Sequence, residues 1–142
     1  MTTKELTAET LLQELVQFNG TENYIKNFTG LYYTDGVEYL AERAGAYWLI
    51  DLIGSHLPSV KQVADDFFSV SVEVHKDYSC NVLINHEVYS SITNEMTQPT
   101  VASQNIGFTD LPEGEYSFFL TATRNLIGDN QKVYLLMLPS EY

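Results

Sequence analysis

Cysteine and long apolar runs are nearly missing from this chain. The one cysteine, Cys80, cannot form an internal disulfide, which is typical of a protein in a reducing compartment. The apolar run Ala46–Ile50 is far shorter than the ~20 residues of a membrane-spanning helix. The first residues, MTTKELTAETLL, lack the apolar core of a signal peptide. We therefore expect a cytoplasmic protein.

Basic residues are also scarce. Seven lysines and arginines stand against nineteen acidic residues, for a formal charge of −12, and the seven are scattered singly. Nucleic acids and anionic membranes attract clustered positive charge, so we expect neither as a direct partner. The acidic balance is typical of a soluble surface and also fits docking onto a basic partner, including mimicry of DNA. A mimic would mass its carboxylates on one face, and only Asp65-Asp66 and the set Asp110, Glu113 and Glu115 come close.

The common catalytic motifs are absent from the sequence. It contains no GxxxxGK(S/T) phosphate loop, no GxGxxG fingerprint, no GxSxG elbow and no HExxH pair. A structural zinc site needs four converging ligands, and it would have to combine Cys80 with His56, His75 and His86. We expect no metal, no cofactor and no catalytic nucleophile.

Size and spacing predict one domain over residues 1–142, with helices in its first half. Thr7 can cap a first helix, and Thr34 or Asp35 can cap a second that Gly45 closes. A third helix at about Ala46–His56 is apolar nearly all round, as in a core helix. Tyr24–Tyr33 is expected to be irregular or one short strand. The first helix has its apolar residues at helical spacing: Leu11, Leu12, Leu15, Val16 and Phe18.

The second half alternates apolar and polar residues, which predicts strands. Directly opposite residues of an antiparallel pair share a face, and apolar residues oppose each other only if the loop is Lys76-Asp77-Tyr78. This register sets Cys80 against Val74 and predicts a buried Cys80 and an exposed His75. The two apolar series are Phe68, Val70, Val72 and Val74, then Cys80, Val82 and Ile84.

A second hairpin is predicted near the C-terminus, with Gly128-Asp129 as a type II′ turn. Between the hairpins, the segment Val88–Pro112 is expected to contain one weak strand, near Ile106–Phe108. Helices followed by strands indicate an α+β fold, with N-terminal helices packed on one face of a C-terminal antiparallel sheet built from two hairpins. One face of the second hairpin is expected to carry Tyr116, Phe118, Leu120 and Ala122 together with Val133, Leu135 and Met137.

Asp51 is the one locally unusual residue, because it is a carboxylate within the apolar third helix. Burying an unpaired charge costs on the order of several kcal/mol. As a functional group, Asp51 would be a weak catalytic candidate or a binding residue, with Tyr47 one turn away and Trp48 beside it. As a structural group, it would lie on an exposed seam or accept hydrogen bonds from loop backbone groups.

Three segments carry a likeness to known sequences: Phe28-Thr-Gly30, the run YTDGVEYLAERAGAYWL at 33–49, and the closing Leu138-Pro-Ser-Glu-Tyr142. With them the chain resembles an uncharacterised bacterial family of small acidic proteins, met in cyanobacteria and on mobile elements and classed as a domain of unknown function. The likeness extends over nearly the whole chain. It implies a self-contained domain, and it implies no activity, cofactor or catalytic residue.

These observations favour a non-enzymatic interaction protein over an enzyme. Ten tyrosines, seven phenylalanines and one tryptophan are more than a core of this size encloses, which predicts an aromatic, acidic docking surface. Its partner would be a second copy of the chain, as a homodimer, or another protein of basic charge. The alternative is a small enzyme or ligand-binding domain with a pocket around Asp51 and Tyr47.

Overall fold

The computed structural model describes residues 7–18, 23–63, 66–86, 88–90, 95–97, 100–109, 111–124 and 132–141. Their helices are α1 Ala8–Leu15, α2 Asp35–Ala44, α3 Tyr47–Ser55 and α4 Leu57–Lys61, and a 3-10 turn covers Pro139–Glu141. The strands are β1 Tyr24–Lys26, β2 Tyr32–Thr34, β3 Phe67–Val74, β4 Cys80–His86, β5 Val88–Ser90, β6 Glu95–Thr97, β7 Thr100–Ile106, β8 Gly114–Thr123 and β9 Val133–Met137.

Seven strands form one sheet in the order β1-β2-β9-β8-β3-β4-β7, and β5 pairs with β6 as a separate ribbon. Only β2 and β9 run parallel among the neighbours of the seven-stranded sheet, and the other pairs are antiparallel. The α+β class and the antiparallel sheet are therefore confirmed.

The expected arrangement of that sheet needs two corrections. β1 and β2 come from the first half of the chain and extend the sheet beyond β9. β2 is buried at all three positions, so it shows no alternation that would mark it as a strand. The weak strand expected at Ile106–Phe108 is instead β7, Thr100–Ile106, whose exposed edge position leaves it little apolar pattern.

Local capping sets the predicted helix boundaries. The Thr7 side chain accepts a hydrogen bond from the Thr10 amide at the start of α1. Thr34 caps α2 in the same way, and Gly45 closes it with φ 65°, a left-handed conformation that favours glycine. The third helix, α3, ends at Ser55, next to its predicted end at His56, and Pro58 lies in the first turn of α4, where its missing N–H costs nothing.

The helices pack on one face of the sheet. Their inward residues join the alternate residues of β3, β4 and β8 in one core, which includes Leu11, Leu40, Ile50, Ile53, Val60, Phe68, Val70, Val72, Val82, Ile84, Phe118 and Leu120, all at most 2% exposed. We call the opposite side of β8, β3, β4 and β7 the bare face. Its side chains alternate with those core residues along the same strands; most are polar, and Phe67, Leu83 and Phe119 are apolar.

The predicted register of the first hairpin is confirmed. Val74 pairs with Cys80, Val72 with Val82 and Val70 with Ile84. The His75 amide donates to the Ser79 carbonyl at 2.8 Å, so the loop contains three residues and Tyr78 takes the left-handed conformation, with φ 65°. Cys80 is buried as expected, at 1% exposure, whereas His75 is only partly exposed.

The predicted facing of the second hairpin is wrong. Leu120 of β8 pairs with Leu136, and Ala122 pairs with Tyr134. The other residues of β9 therefore point away from the helices, where they form a second apolar cluster with Tyr32 and Phe119: Val133, Leu135 and Met137. All five residues of β9 are buried, so its sequence has no alternation from which to read a facing. The expected turn at Gly128-Asp129 lies outside the described residues.

Within the described segments, no helix is long and apolar enough to cross a membrane.

Candidate functional site

A polar cleft lies on the bare face, with a cavity volume of about 350 Å³. Four adjacent strands supply its lining, because β3 is bonded to β8 on one side and to β4 on the other, and β4 is bonded to β7. The side chains available there are hydroxyls, amides and carboxylates. A cavity of this size is within the range of ligand sites, which is about 300–1,000 Å³.

The polar residues of the cleft form rows that cross the strands. In the first row, Glu115 on β8 is directly opposite Glu73 on β3. Glu73 is opposite Asn81 on β4, and Asn81 is opposite Asn105 on β7. The second row follows the same strands through Ser117, Ser71, Leu83 and Ser103.

The opposed glutamates give the cleft its electrostatic character. Like charges directly opposite each other on neighbouring strands are destabilising. Among the described residues, the lining of the cleft contains Glu73 and Glu115 and neither lysine nor arginine. The nearest counter-charge to Glu73 in the described chain is the imidazole of His75, with Nδ1 at 3.7 Å from Oε1, and it is a cation only when protonated.

The hairpin end of the cleft is bordered by imidazole and aromatic groups. The other ring nitrogen of His75, Nε2, lies 3.0 Å from the Asn81 amide nitrogen. Beyond them, Tyr78 in the β3–β4 loop contacts Phe108, with ring centroids 6.0 Å apart. These rings are 46% and 68% exposed, respectively. The hairpin end of β3 and β4 therefore carries an exposed aromatic pair.

Asp51 lies elsewhere and connects two elements of the fold. Its Oδ1 accepts a hydrogen bond from Asn27 Nδ2 at 2.7 Å. Asn27 Oδ1 in turn accepts from the amide and the hydroxyl of Thr29, at 3.1 and 2.6 Å. Thr29 packs directly against Gly54 of α3, where a side chain would overlap its hydroxyl. Asp51 therefore fastens α3 to the turn between β1 and β2.

The two aromatic residues proposed with Asp51 have different surroundings. Tyr47 is 44% exposed, and Trp48 is partly buried against the core. Partial burial raises the pKa of Tyr47, and the carboxylates of Glu38 and Glu42 raise it further. None of Tyr47, Trp48 and Asp51 lines the cleft on the bare face.

The C-terminal segment also has a structural role, through the hydrogen bonds of Glu141. Glu141 Oε1 accepts hydrogen bonds from the Thr34 hydroxyl at 2.6 Å and the Leu138 amide at 3.0 Å. Its Oε2 accepts from the Gly36 amide at 3.3 Å, so a carboxylate sits at the positive N-terminus of α2. The three sequence segments that carry the family likeness thus make contacts that join elements together.

Cys80 and Tyr116 lie under the sheet, on the side of the helices. Burial raises the pKa of the Cys80 thiol, which keeps it protonated and unreactive. Burial, with a smaller effect of Cys80, raises the pKa of Tyr116 to about 12, and its hydroxyl donates to the Pro112 carbonyl at 2.7 Å. Across the described segments, no three His, Cys, Asp or Glu side chains are grouped as metal ligands would be.

Sequence reasoning did not find the cleft. Glu73 was readable as a polar residue of an alternating strand and Glu115 as part of an acidic stretch, but their pairing joins strands about forty residues apart. The one signal present was that each polar residue of β3 faces away from its valines, which predicts a polar face without saying what lies opposite.

Fold and cleft define a class: an α+β domain whose helices cover one side of a mixed sheet and whose other side carries a polar, carboxylate-bearing cleft. Within that class, the chain belongs to a family of unknown function, DUF6876, whose model matches residues 9–142. No curated protein matches the chain, and no solved structure does.

Proposed function

We propose that this domain is a non-enzymatic binding protein that holds a basic segment of a partner protein in the cleft of the bare face. The observation that carries the proposal is the direct opposition of Glu73 and Glu115 in a cleft whose described lining includes no lysine or arginine. A guanidinium or ammonium group placed between two carboxylates relieves their repulsion and forms charge-assisted hydrogen bonds.

The remaining groups of the cleft suit an extended peptide. Asn81 and Asn105 offer amide donors and acceptors in the same row as the glutamates, and the serines of the second row offer hydroxyls. At the hairpin end, Tyr78 and Phe108 present exposed rings over which a cation can stack. The net charge of −12 steers a basic partner toward the domain and repels an acidic one.

The test is the affinity of a fluorescently labelled Lys/Arg-rich peptide, measured by anisotropy. The double variant Glu73→Gln/Glu115→Gln removes both carboxylates and keeps their size. If each contact is worth about 0.5–1 kcal/mol, affinity falls about fivefold to thirtyfold. The matched control, Glu9→Gln/Glu113→Gln, removes the same charge from two exposed positions outside the cleft. An equal loss in both variants would mean that net charge alone attracts the peptide.

The dependence of association on ionic strength distinguishes a complex with a basic partner from a homodimer. A complex between opposite charges weakens as salt rises, whereas two copies that each carry −12 repel and associate more tightly when salt screens them. Sedimentation of the domain alone at low and moderate salt is expected to give a monomer at both. A dimer whose association becomes tighter as salt rises would instead indicate that the partner is a second copy of the chain.

A further inference from the structure

Three of the seven basic residues of this acidic chain line one small cleft. Lys26 ends β1, Lys61 ends α4 and Lys132 precedes β9, and the three lie around a cavity of about 160 Å³. The cavity opens at the end of the sheet where β2 and the parallel strand β9 both begin. Among the residues that the structure describes, none in its lining is acidic. A positive cleft in a chain of −12 is a local reversal of charge.

Two of these lysines have no counter-charge in the part of the chain that the structure describes. Among the described residues, neither Lys26 nor Lys61 forms an ion pair. Elsewhere in the chain, by contrast, Arg43 is paired with Glu14 at 3.2 Å. The mutual repulsion of neighbouring ammonium groups makes a bound anion favourable at this position.

Lys132 is held in place beside the cleft. Its Nζ lies 3.0 Å from Asp66 Oδ1 and 5.7 Å from the centre of the Tyr134 ring. The hydrogen bond to Asp66 raises the pKa of Lys132, with a further contribution from Tyr134, so the ammonium keeps its charge. Asp66 offsets one of the three positive charges, so the described residues at the cleft keep a net positive charge.

We propose that this cleft binds a phosphate group. Its volume equals about five water molecules of liquid volume and is below the range of about 300–1,000 Å³ for drug-sized ligands, which suits a single oxyanion. Lysines bind phosphate as point charges. A lysine on an edge strand such as β1 also discourages strand pairing, but this accounts for Lys26 alone.

The experiment is an NMR titration of the whole domain with inorganic phosphate, monitored at the amide signals of Gly30, Tyr32 and Val133. A parallel titration with chloride at equal ionic strength is the control. We expect saturable shifts at these amides. In Lys26→Gln/Lys61→Gln the affinity falls about tenfold or more, because two charged contacts are lost. In the matched control Lys76→Gln, an exposed lysine of the β3–β4 loop, it changes less than about twofold.

A second titration with a phosphate monoester, glycerol phosphate, identifies the source of the group. Tighter binding of the monoester indicates a phosphorylated metabolite, and tighter binding of inorganic phosphate indicates the free ion. The proposal is overturned if phosphate shifts no amide beyond the chloride control, or if Lys76→Gln weakens binding as much as the double variant. Denaturation midpoints of all variants check that each is folded.

Discussion

Replacing Glu115 by Gln is expected to stabilise the domain. Glu115 and Glu73 are directly opposite on β8 and β3, and Cβ atoms at such positions are about 4.5–5.5 Å apart. Both residues are exposed, so the dielectric constant of water applies. Two unit charges at about 6 Å then repel by about 0.7 kcal/mol, and at 0.1 M salt by about 0.4 kcal/mol. A protein selected for stability alone has no reason to keep this pair.

The assay is urea denaturation at low and at moderate salt, at a pH where histidines are neutral. Glu115→Gln should raise the free energy of unfolding by about 0.4–0.7 kcal/mol, within the range for cross-strand pairs, with an unchanged m-value. Glu113→Gln, an exposed position outside the pair, controls for the general effect of lowering the net charge. The gain from Glu115→Gln should exceed that control, and it should shrink as salt rises.

A double-mutant cycle isolates the pair. In a Glu73→Gln background, the stabilisation from Glu115→Gln should fall to that of the Glu113→Gln control, because the opposing charge is gone. The reasoning is refuted if Glu115→Gln lowers stability, or if its effect is the same with glutamate and with glutamine at position 73. Either result would mean that the two carboxylates do not repel each other across the strands.

Three further predictions concern the scaffold. Asp51→Ala should destabilise the domain by about 1–3 kcal/mol, because Asn27 loses its acceptor; an unchanged denaturation midpoint would return Asp51 to a functional role. Cys80 is 1% exposed, and burial raises the pKa of its thiol. It should therefore react with a bulky thiol reagent only as fast as the protein unfolds. Rapid labelling of the folded state would contradict the predicted register of β3 and β4. Hydrogen bonds from the Ser79 hydroxyl and amide lower the pKa of Asp77 from its ordinary value of 3.8, so its ionised form favours the folded state. The stability difference between wild type and Asp77→Asn should be full well above pH 3.8 and shrink as the pH falls through the lowered pKa; a difference constant down to pH 2 would rule this out.

The elements that could be predicted from sequence are those whose evidence is local. Thr34 and Gly45 bound α2 because capping depends on single residues next to the helix. The register of β3 with β4 followed from parity, since only one loop length sets Val74 against Cys80. In both cases the deciding residues lie within a few positions of each other.

The elements that could not be predicted depend on partners far along the chain. β9 is apolar throughout, so its facing is decided by β8 on one side and β2 on the other. β2 pairs in parallel with a strand about one hundred residues later. The candidate site could not be predicted for a similar reason, because Glu73 and Glu115 become neighbours only through the β3–β8 pairing. Asp51 was singled out for its unusual position, and its partner Asn27 comes from a turn read as irregular chain.

The central claim is that the bare face of the sheet binds a basic segment, and mapping the bound peptide by NMR tests it most directly. On addition of the Lys/Arg-rich peptide, the account predicts amide shifts concentrated in the four strands of the cleft, at Ser71, Asn81, Ser103 and Ser117. Saturation should give the same affinity at each of these amides. Shifts confined to the helical side around Asp51 and Tyr47, or no saturable shift on the bare face, would contradict it.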